Sequence, residues 1–248
     1  MNEYITEPDR LRLEEPTPDV RAIIVDIEGT TSDIAFVHDV LFSYAREYLP
    51  DFVRARADDP EVAALLDDVR AEADASDVDL DRVIDILAQW LDEDRKSTPL
   101  KALQGMVWQQ GYTDGDFVGH VYDDAVAALQ AWADDRRALF VYSSNSAAAQ
   151  RLLFAHSDHG DLTDLFSGYF DTRIGPKKKS RSYQAIAAEL GEAPPSILFL
   201  STVGDELDAA ATAGLQTCWV ARDEDSQEKA GANEKHPVVI SFDDIELI

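Results

Sequence analysis

Ala22-Ile23-Ile24-Val25-Asp26-Ile27-Glu28-Gly29-Thr30-Thr31 is the stretch whose reading decides the fold. The short apolar run Ala22–Val25 reads as a strand buried in a parallel sheet. Two carboxylates, Asp26 and Glu28, then stand at the carboxyl end of that strand, next to a glycine and two hydroxyls. Open α/β sheets bind their ligands at that end. An Asp there can act as a covalent nucleophile toward phosphorus. A carboxylate two residues on can serve as general acid and base for the leaving group. The competing reading is a strand that ends in a solvated acidic turn, common in so acidic a chain, and the rest of the sequence has to separate the two.

Downstream of this stretch, Val37, Val40, Leu41, Tyr44, Ala45, Tyr48 and Leu49 recur at helical spacing. Amphipathic patterns predict further helices at about 60–74, 80–93 and 98–111. Pro99 after Ser97-Thr98 suits a helix start, and Gly111 suits an end. No strand pattern occurs between residues 34 and 119. Alternation then resumes. A helix is expected over 123–134, a strand over 138–142, helices over 147–156 and 183–190, a strand over 197–200, a helix over 206–213 closed by Gly214, a strand over 216–220, and a last strand near 237–240. A βα repeat interrupted early by helices predicts an α/β fold: a doubly wound, mostly parallel sheet carrying an inserted all-helical cap. The expected division is an α/β core of residues 21–33 and 118–248, a helical cap of residues 34–117, and a loose N-terminal arm of residues 1–20 that contains Pro8, Pro16 and Pro18.

Composition narrows the setting. The chain has 248 residues, 45% of them hydrophobic, enough for a sizeable core. No apolar run approaches the roughly 20 residues of a membrane helix. The first residues have neither a basic head nor an apolar stretch, so no secretory signal is visible. Cys218 is the single cysteine and sits in an apolar strand pattern, which excludes an intrachain disulfide and argues for an inert thiol. A cytoplasmic location is expected. The 49 acidic side chains against 22 basic ones give a net charge of −27. A polyanionic partner would be repelled, so nucleic acid is excluded as a ligand. The acids are spread along the chain and only 7 of the basic residues are Lys. That pattern reads as adaptation to high salt, and the charge favours a monomer.

Three more strand ends carry suitable groups. Tyr142-Ser143-Ser144-Asn145-Ser146 follows a strand and opens a helix. Its hydroxyls and backbone N–H groups can bind an anion or simply cap the helix. Gly175-Pro176-Lys177-Lys178-Lys179 is the densest positive charge in the chain. It is either a surface turn or the source of a cation that balances a carboxylate and a phosphoryl group. Ser201-Thr202-Val203-Gly204-Asp205-Glu206 offers acids that can complete a magnesium site with Asp26 or sit favourably in the first turn of a helix. The five His are scattered, with no third imidazole or Cys to complete a zinc pattern, and Ser143 has no evident His/Asp partners for a hydrolase triad.

Together and in this order, the four segments resemble the haloacid dehalogenase superfamily of phosphoryl-transfer enzymes. More closely, the chain is similar to the acireductone synthase family, the enolase-phosphatases of methionine salvage. The matching runs are Val25–Thr31 with Ile34-Ala35-Phe36-Val37, Asp94–Gly105 with Trp108, Tyr142-Ser143-Ser144, Gln150–Phe154 and Gly168-Tyr169-Phe170-Asp171-Thr172. The resemblance implies that Asp26 is the nucleophile and a magnesium ligand. It implies that Glu28 is the acid/base and lends its carbonyl to the metal, that Ser143 and Ser144 contact phosphate, and that Lys177 balances charge. Lys101, Gln104 and Trp108 are the cap candidates for substrate binding. The implied reaction converts 2,3-diketo-5-methylthiopentyl-1-phosphate, a small phosphorylated diketone, to a dihydroxy-ketopentene by enolisation and dephosphorylation, with Mg2+ as cofactor. Two positions depart from the family pattern. Asn145 replaces a Gly, and Thr202 stands where the family has an Asp magnesium ligand, with Glu206 in the second acidic place. Another small-molecule phosphatase of the superfamily, or a binding protein that has lost catalysis through Thr202, are the alternative readings.

Overall fold

The computed structural model describes residues 11–12, 19–231 and 235–247. The strands are β1 (Leu11–Arg12), β2 (Ala22–Val25), β3 (Ala138–Tyr142), β4 (Gly168–Phe170), β5 (Ile197–Ser201), β6 (Gln216–Val220), β7 (Val238–Val239) and β8 (Ile245–Glu246). The helices are α1 (Ser43–Arg56), α2 (Pro60–Glu72), α3 (Leu80–Asp92), α4 (Thr98–Asp114), α5 (Asp123–Asp134), α6 (Ala147–Ala155), α7 (Ser180–Leu190), α8 (Gly204–Thr212) and α9 (Glu224–Gly231). Contacts divide the chain into two units. One comprises Met1–Asp33, Val121–Ser144 and Leu162–Ile248, the other Ile34–His120 and Asn145–Asp161.

The first unit holds a six-stranded sheet in the order β4-β3-β2-β5-β6-β7, with every pairing parallel. All residues of β2 and β5 are buried. Strands covered on both faces need continuous apolar runs, and Ala22–Val25 and Ile197–Leu200 supply them. Ile24, Tyr142, Phe199, Tyr183, Ile186 and Leu207 pack into one core cluster of this unit. From β2 the chain first builds outward through β3 and β4, then returns to the other side of β2 through β5, β6 and β7. The reversal of direction between β2 and β5 is where doubly wound sheets open a crevice for ligands. Asp26 follows directly on β2. Of the arm expected over residues 1–20, only 11–12 and 19–20 lie among the described residues, and there β1 pairs in parallel with β8.

The second unit is helical. Asp59, Asp79 and Ser97 N-cap α2, α3 and α4 by accepting the backbone N–H of Glu61, Arg82 and Leu100. Pro99 occupies the first turn of α4, as its sequence context predicts. Leu49, Val53, Leu66, Val83, Leu87 and Leu103 form its main core. Among the described residues no helix is long and apolar enough to cross a membrane.

Several elements differ from the sequence expectation. Gly111 does not end α4, which runs on to Asp114 and is closed by Gly115 at φ 76°. A Cβ on Gly111 would lie 2.5 Å from Phe117 Cε1 and 2.8 Å from Tyr44 Cε1, so this glycine admits close packing inside the helix. The helical spacing over 37–49 resolves into a π-helix, Phe36–Phe42, followed by α1. Helix α6 groups with the helical unit instead of the α/β core, because Ala149 and Leu152 pack on the cluster of Leu41, Ala45, Trp108 and Tyr112. Strand β4 and helix α9 carried no periodic signal: β4 has three residues, and α9 reads EDSQEKAG, almost wholly polar.

Candidate functional site

The loop after β2 is built from its own backbone. The N–H groups of Thr30, Thr31 and Ser32 all donate to the Ile27 carbonyl, at 3.1, 3.1 and 3.0 Å, and Gly29 N–H donates to Ser32 O at 2.8 Å. So tight a turn needs positive φ, and Gly29 takes it at +71°. The Thr31 hydroxyl donates to the Asp26 carbonyl at 3.0 Å. Thr202 N–H donates to Thr30 Oγ1 at 3.1 Å, which ties the loop to the end of β5. The sequence Gly29-Thr30-Thr31 is therefore read out as one locked turn that carries Asp26 and Glu28.

Four side chains meet at the carboxyl ends of β2 and β5. Lys177 Nζ lies 2.6 Å from Asp26 Oδ1 and 2.7 Å from Glu206 Oε2. Ser201 Oγ lies 3.2 Å from both Asp26 Oδ2 and Glu206 Oε2. All four residues are buried. Burial opposes charge on Lys177, but the adjacent Asp26 and Glu206 carboxylates outweigh it and hold the ammonium protonated beyond its ordinary range. Glu206 is pushed up to about 7, first by burial and then by the Asp26 charge, with Lys177 pulling the other way. Ser201 has one hydroxyl proton for two carboxylates. The arrangement thus sets one lysine and one hydroxyl between two buried carboxylates.

The turn that delivers Lys177 is itself braced. Tyr142 Oη donates to Gly175 O at 2.8 Å, and Ser182 Oγ donates to Pro176 O at 2.8 Å. Gly175 sits at φ +142°, where a Cβ would lie 2.3 Å from Ser182 Oγ. Lys178, the next residue, points elsewhere and pairs with the exposed Asp205 at 2.9 Å. Of the lysine triplet, Lys177 is the one buried in the cluster.

The remaining sequence-derived residues divide. Ser143 follows β3, next to β2, is buried, and donates its N–H to Phe170 O at 3.2 Å. Ser144 succeeds it at the same strand end. Capping of α6 falls to Ser146, which accepts from Ala149 N–H at 3.2 Å. Thr202 stands at the end of β5, its methyl 3.0 Å from the position of a Cβ on Gly29. In the helical unit Lys101 lines a cavity of about 660 Å3. Gln104 and Trp108 are buried, and the Trp108 indole N–H donates to Leu41 O at 2.7 Å. Sequence reasoning passed over Ser201, which joins Asp26 to Glu206, and over Arg222 and Asp124, whose ion pair stands beside the loop. The usable signal for Arg222 was an arginine just past a strand end in a chain of net charge −27.

The oxygens around Asp26 suit a hard cation in kind. Among the described residues no group of three or more His, Cys, Asp and Glu side chains is arranged to hold a metal. The cluster offers such an ion the Asp26 and Glu206 carboxylates and the Ser201 hydroxyl. Magnesium is held by as few as one or two carboxylates when substrate phosphate and water supply the rest, so the donor set fits it at the lower end of charge.

Comparison with known proteins gives the family. Residues 20–214 match the family model of haloacid dehalogenase-like hydrolases. The chain is 56% identical to the enolase-phosphatase E1 of Azotobacter vinelandii over 92% of its length and 97% of that protein. It is 52% identical to the enolase-phosphatase E1 of Serratia proteamaculans, with the same coverage. Among solved structures it resembles the UTR4 protein of Saccharomyces cerevisiae, with a TM-score of 0.75, 30% identity and coverage of 92% of this chain and 100% of that one. The L-2-haloacid dehalogenase of Xanthobacter autotrophicus shares the fold at a TM-score of 0.54 and 21% identity, over 91% and 96% of the two chains. A loop that carries a buried carboxylate at the switch point of a parallel sheet, a lysine bound to that carboxylate and relatives of this closeness lead to one assignment: the chain belongs to the haloacid dehalogenase-like hydrolases and, within them, to the enolase-phosphatase family.

Proposed function

We propose that the chain is an acireductone synthase, a phosphatase that enolises 2,3-diketo-5-methylthiopentyl-1-phosphate and then removes its phosphate. The observation that carries this reading is the buried Asp26 at the end of β2, held by Lys177 at 2.6 Å, in a chain 56% identical to an enolase-phosphatase. A carboxylate oxygen of Asp26 attacks phosphorus. The P–O bond to the substrate breaks, and Glu28 gives a proton to the departing oxygen. Glu28 then takes a proton from water, which cleaves the aspartyl-phosphate and restores Asp26. Lys177 offsets the negative charge that gathers as phosphate approaches Asp26. Ser143 and Ser144, at the neighbouring strand end, donate to the phosphate oxygens.

Asp26, the Glu28 carbonyl and the position of Thr202 would hold magnesium. The ion supplies Lewis acidity toward a ketone oxygen and toward phosphate when bound. The helical unit is proposed as the cap, with Lys101 toward substrate, while the buried Gln104 and Trp108 shape the packing behind it. The spread of acidic residues supports a protein adapted to high salt that works as a monomer in the cytoplasm.

The test is incubation with the diketone phosphate and magnesium, with enol absorbance and free phosphate followed separately. Asp26→Asn keeps the shape and removes the nucleophile. Phosphate release should fall to background in that variant. Release at the parent rate would overturn the assignment of Asp26.

A further inference from the structure

Arg222 follows β6 by one residue, and Ala221 between them donates its N–H to Val239 O, so the arginine leaves a strand end that is pinned on both sides. Its guanidinium Nε donates to the carbonyl of Thr30 at 2.8 Å. Its Nη1 reaches both carboxylate oxygens of Asp124, at 3.1 and 2.9 Å. The ion pair is nearly buried, with side-chain exposures of 11% and 14%. The guanidinium carbon lies 4.0 Å from the ring centre of Tyr122 and 5.2 Å from that of Phe242.

Asp124 is fixed in turn. It sits in the first turn of α5 and accepts from Ser241 Oγ at 2.8 Å and from Phe242 N–H at 2.7 Å. Burial raises its pKa, but the Phe242, Arg222 and Ser241 hydrogen bonds outweigh burial and hold the carboxyl below its usual range. The segment leading into α5 touches the same loop from the other direction, since Tyr122 N–H donates to Thr31 O at 2.9 Å. The carbonyls of Thr30 and Thr31 are therefore gripped from two sides, within a loop that also carries Asp26 and Glu28.

A buried ion pair is weak evidence for stability, because desolvation offsets much of the attraction. Its geometry says more. A planar guanidinium can serve Thr30 and Asp124 at once, in divergent directions, whereas an ammonium on a flexible stem cannot hold both at fixed angles. We infer that Arg222 is a positioning residue: by clamping the Thr30 carbonyl to Asp124 it holds the Asp26–Thr31 loop in the shape that aims Asp26 and Glu28. The inference rests on the proposed phosphatase reading of that loop.

Arg222→Lys keeps the charge and loses the fork. The parent and the variant are compared for phosphate release from the diketone phosphate, for circular dichroism, and for amide hydrogen exchange in the peptide covering residues 26–32. Displacing a catalytic group by ~1 Å can lower a rate by ~100-fold. In folded Arg222→Lys, kcat should thus fall roughly 10- to 100-fold, KM should stay within about a factor of two, and exchange in that peptide should quicken by about tenfold. A kcat within about twofold of the parent, or unchanged exchange in the peptide, overturns the clamp. If Arg222→Lys does not fold, Ser241→Ala, which loosens Asp124 alone, decides by the same two readouts. A parent that releases no phosphate defeats the phosphatase reading, while the exchange comparison still decides the clamp.

Discussion

At the scale of the residue, Thr202 stands where the proposed reading calls for a third magnesium ligand. A hydroxyl there offers a divalent ion no net charge, and Asp205, the acid nearest in sequence, is exposed and engaged with Lys178 at 2.9 Å. Glu206 is held by Lys177 and Ser201. Thr202→Asp should therefore lower the magnesium concentration for half-maximal phosphate release, and the dissociation constant read by calorimetry, by about tenfold or more. That is about 1.4 kcal/mol, small beside the attraction of opposite charges at contact distance. Asp205→Asn should leave both values unchanged. A sharp rise in either on Asp205→Asn would make Asp205 the ligand.

At the scale of the element, α4 contains two glycines with opposite roles. A Cβ on Gly111 collides with Phe117 and Tyr44, whereas one on Gly105 meets nothing within 4 Å. Gly111→Ala should overpack the helical unit and cost about 1–3 kcal/mol. Gly105→Ala should stabilise by roughly 0.5–1 kcal/mol, the usual gain on replacing a glycine inside a helix. Urea unfolding midpoints of the two variants check both signs, and a Gly111→Ala midpoint at or above the parent's would contradict the packing argument. The same pair explains how sequence reading erred on this helix. Glycine signals either a helix end or a close approach, and only the position of Tyr44 and Phe117 tells which.

At the scale of the whole molecule, charge dominates. A net charge of −27 over 248 residues repels itself, and added salt screens it within ~3 Å at 1 M. The melting temperature should climb as KCl is raised from dilute to molar. Equal melting temperatures across that range would make the acidity incidental to folding.

The sequence by itself determined the sheet and its most important edge. Ala22–Val25 and Ile197–Leu200 are continuous apolar runs, which suit strands covered on both faces, and Asp26, Ser143 and Thr202 follow strands whose ends are legible from local pattern alone. It also singled out the lysine turn, because three lysines in so acidic a chain stand out. The resemblance named Lys177, but local pattern does not separate it from Lys178; tertiary structure does, because a turn braced by Tyr142 and Ser182 presents the two in different directions. Tertiary structure alone brought Ser201 to Asp26, and Arg222 to Thr30 and Asp124, pairs separated by 175, 192 and 98 positions in the chain. Periodicity reports which face of an element is buried. It carries no information on which buried polar groups meet across elements, because that depends on strand order and register, and these are properties of the assembled sheet.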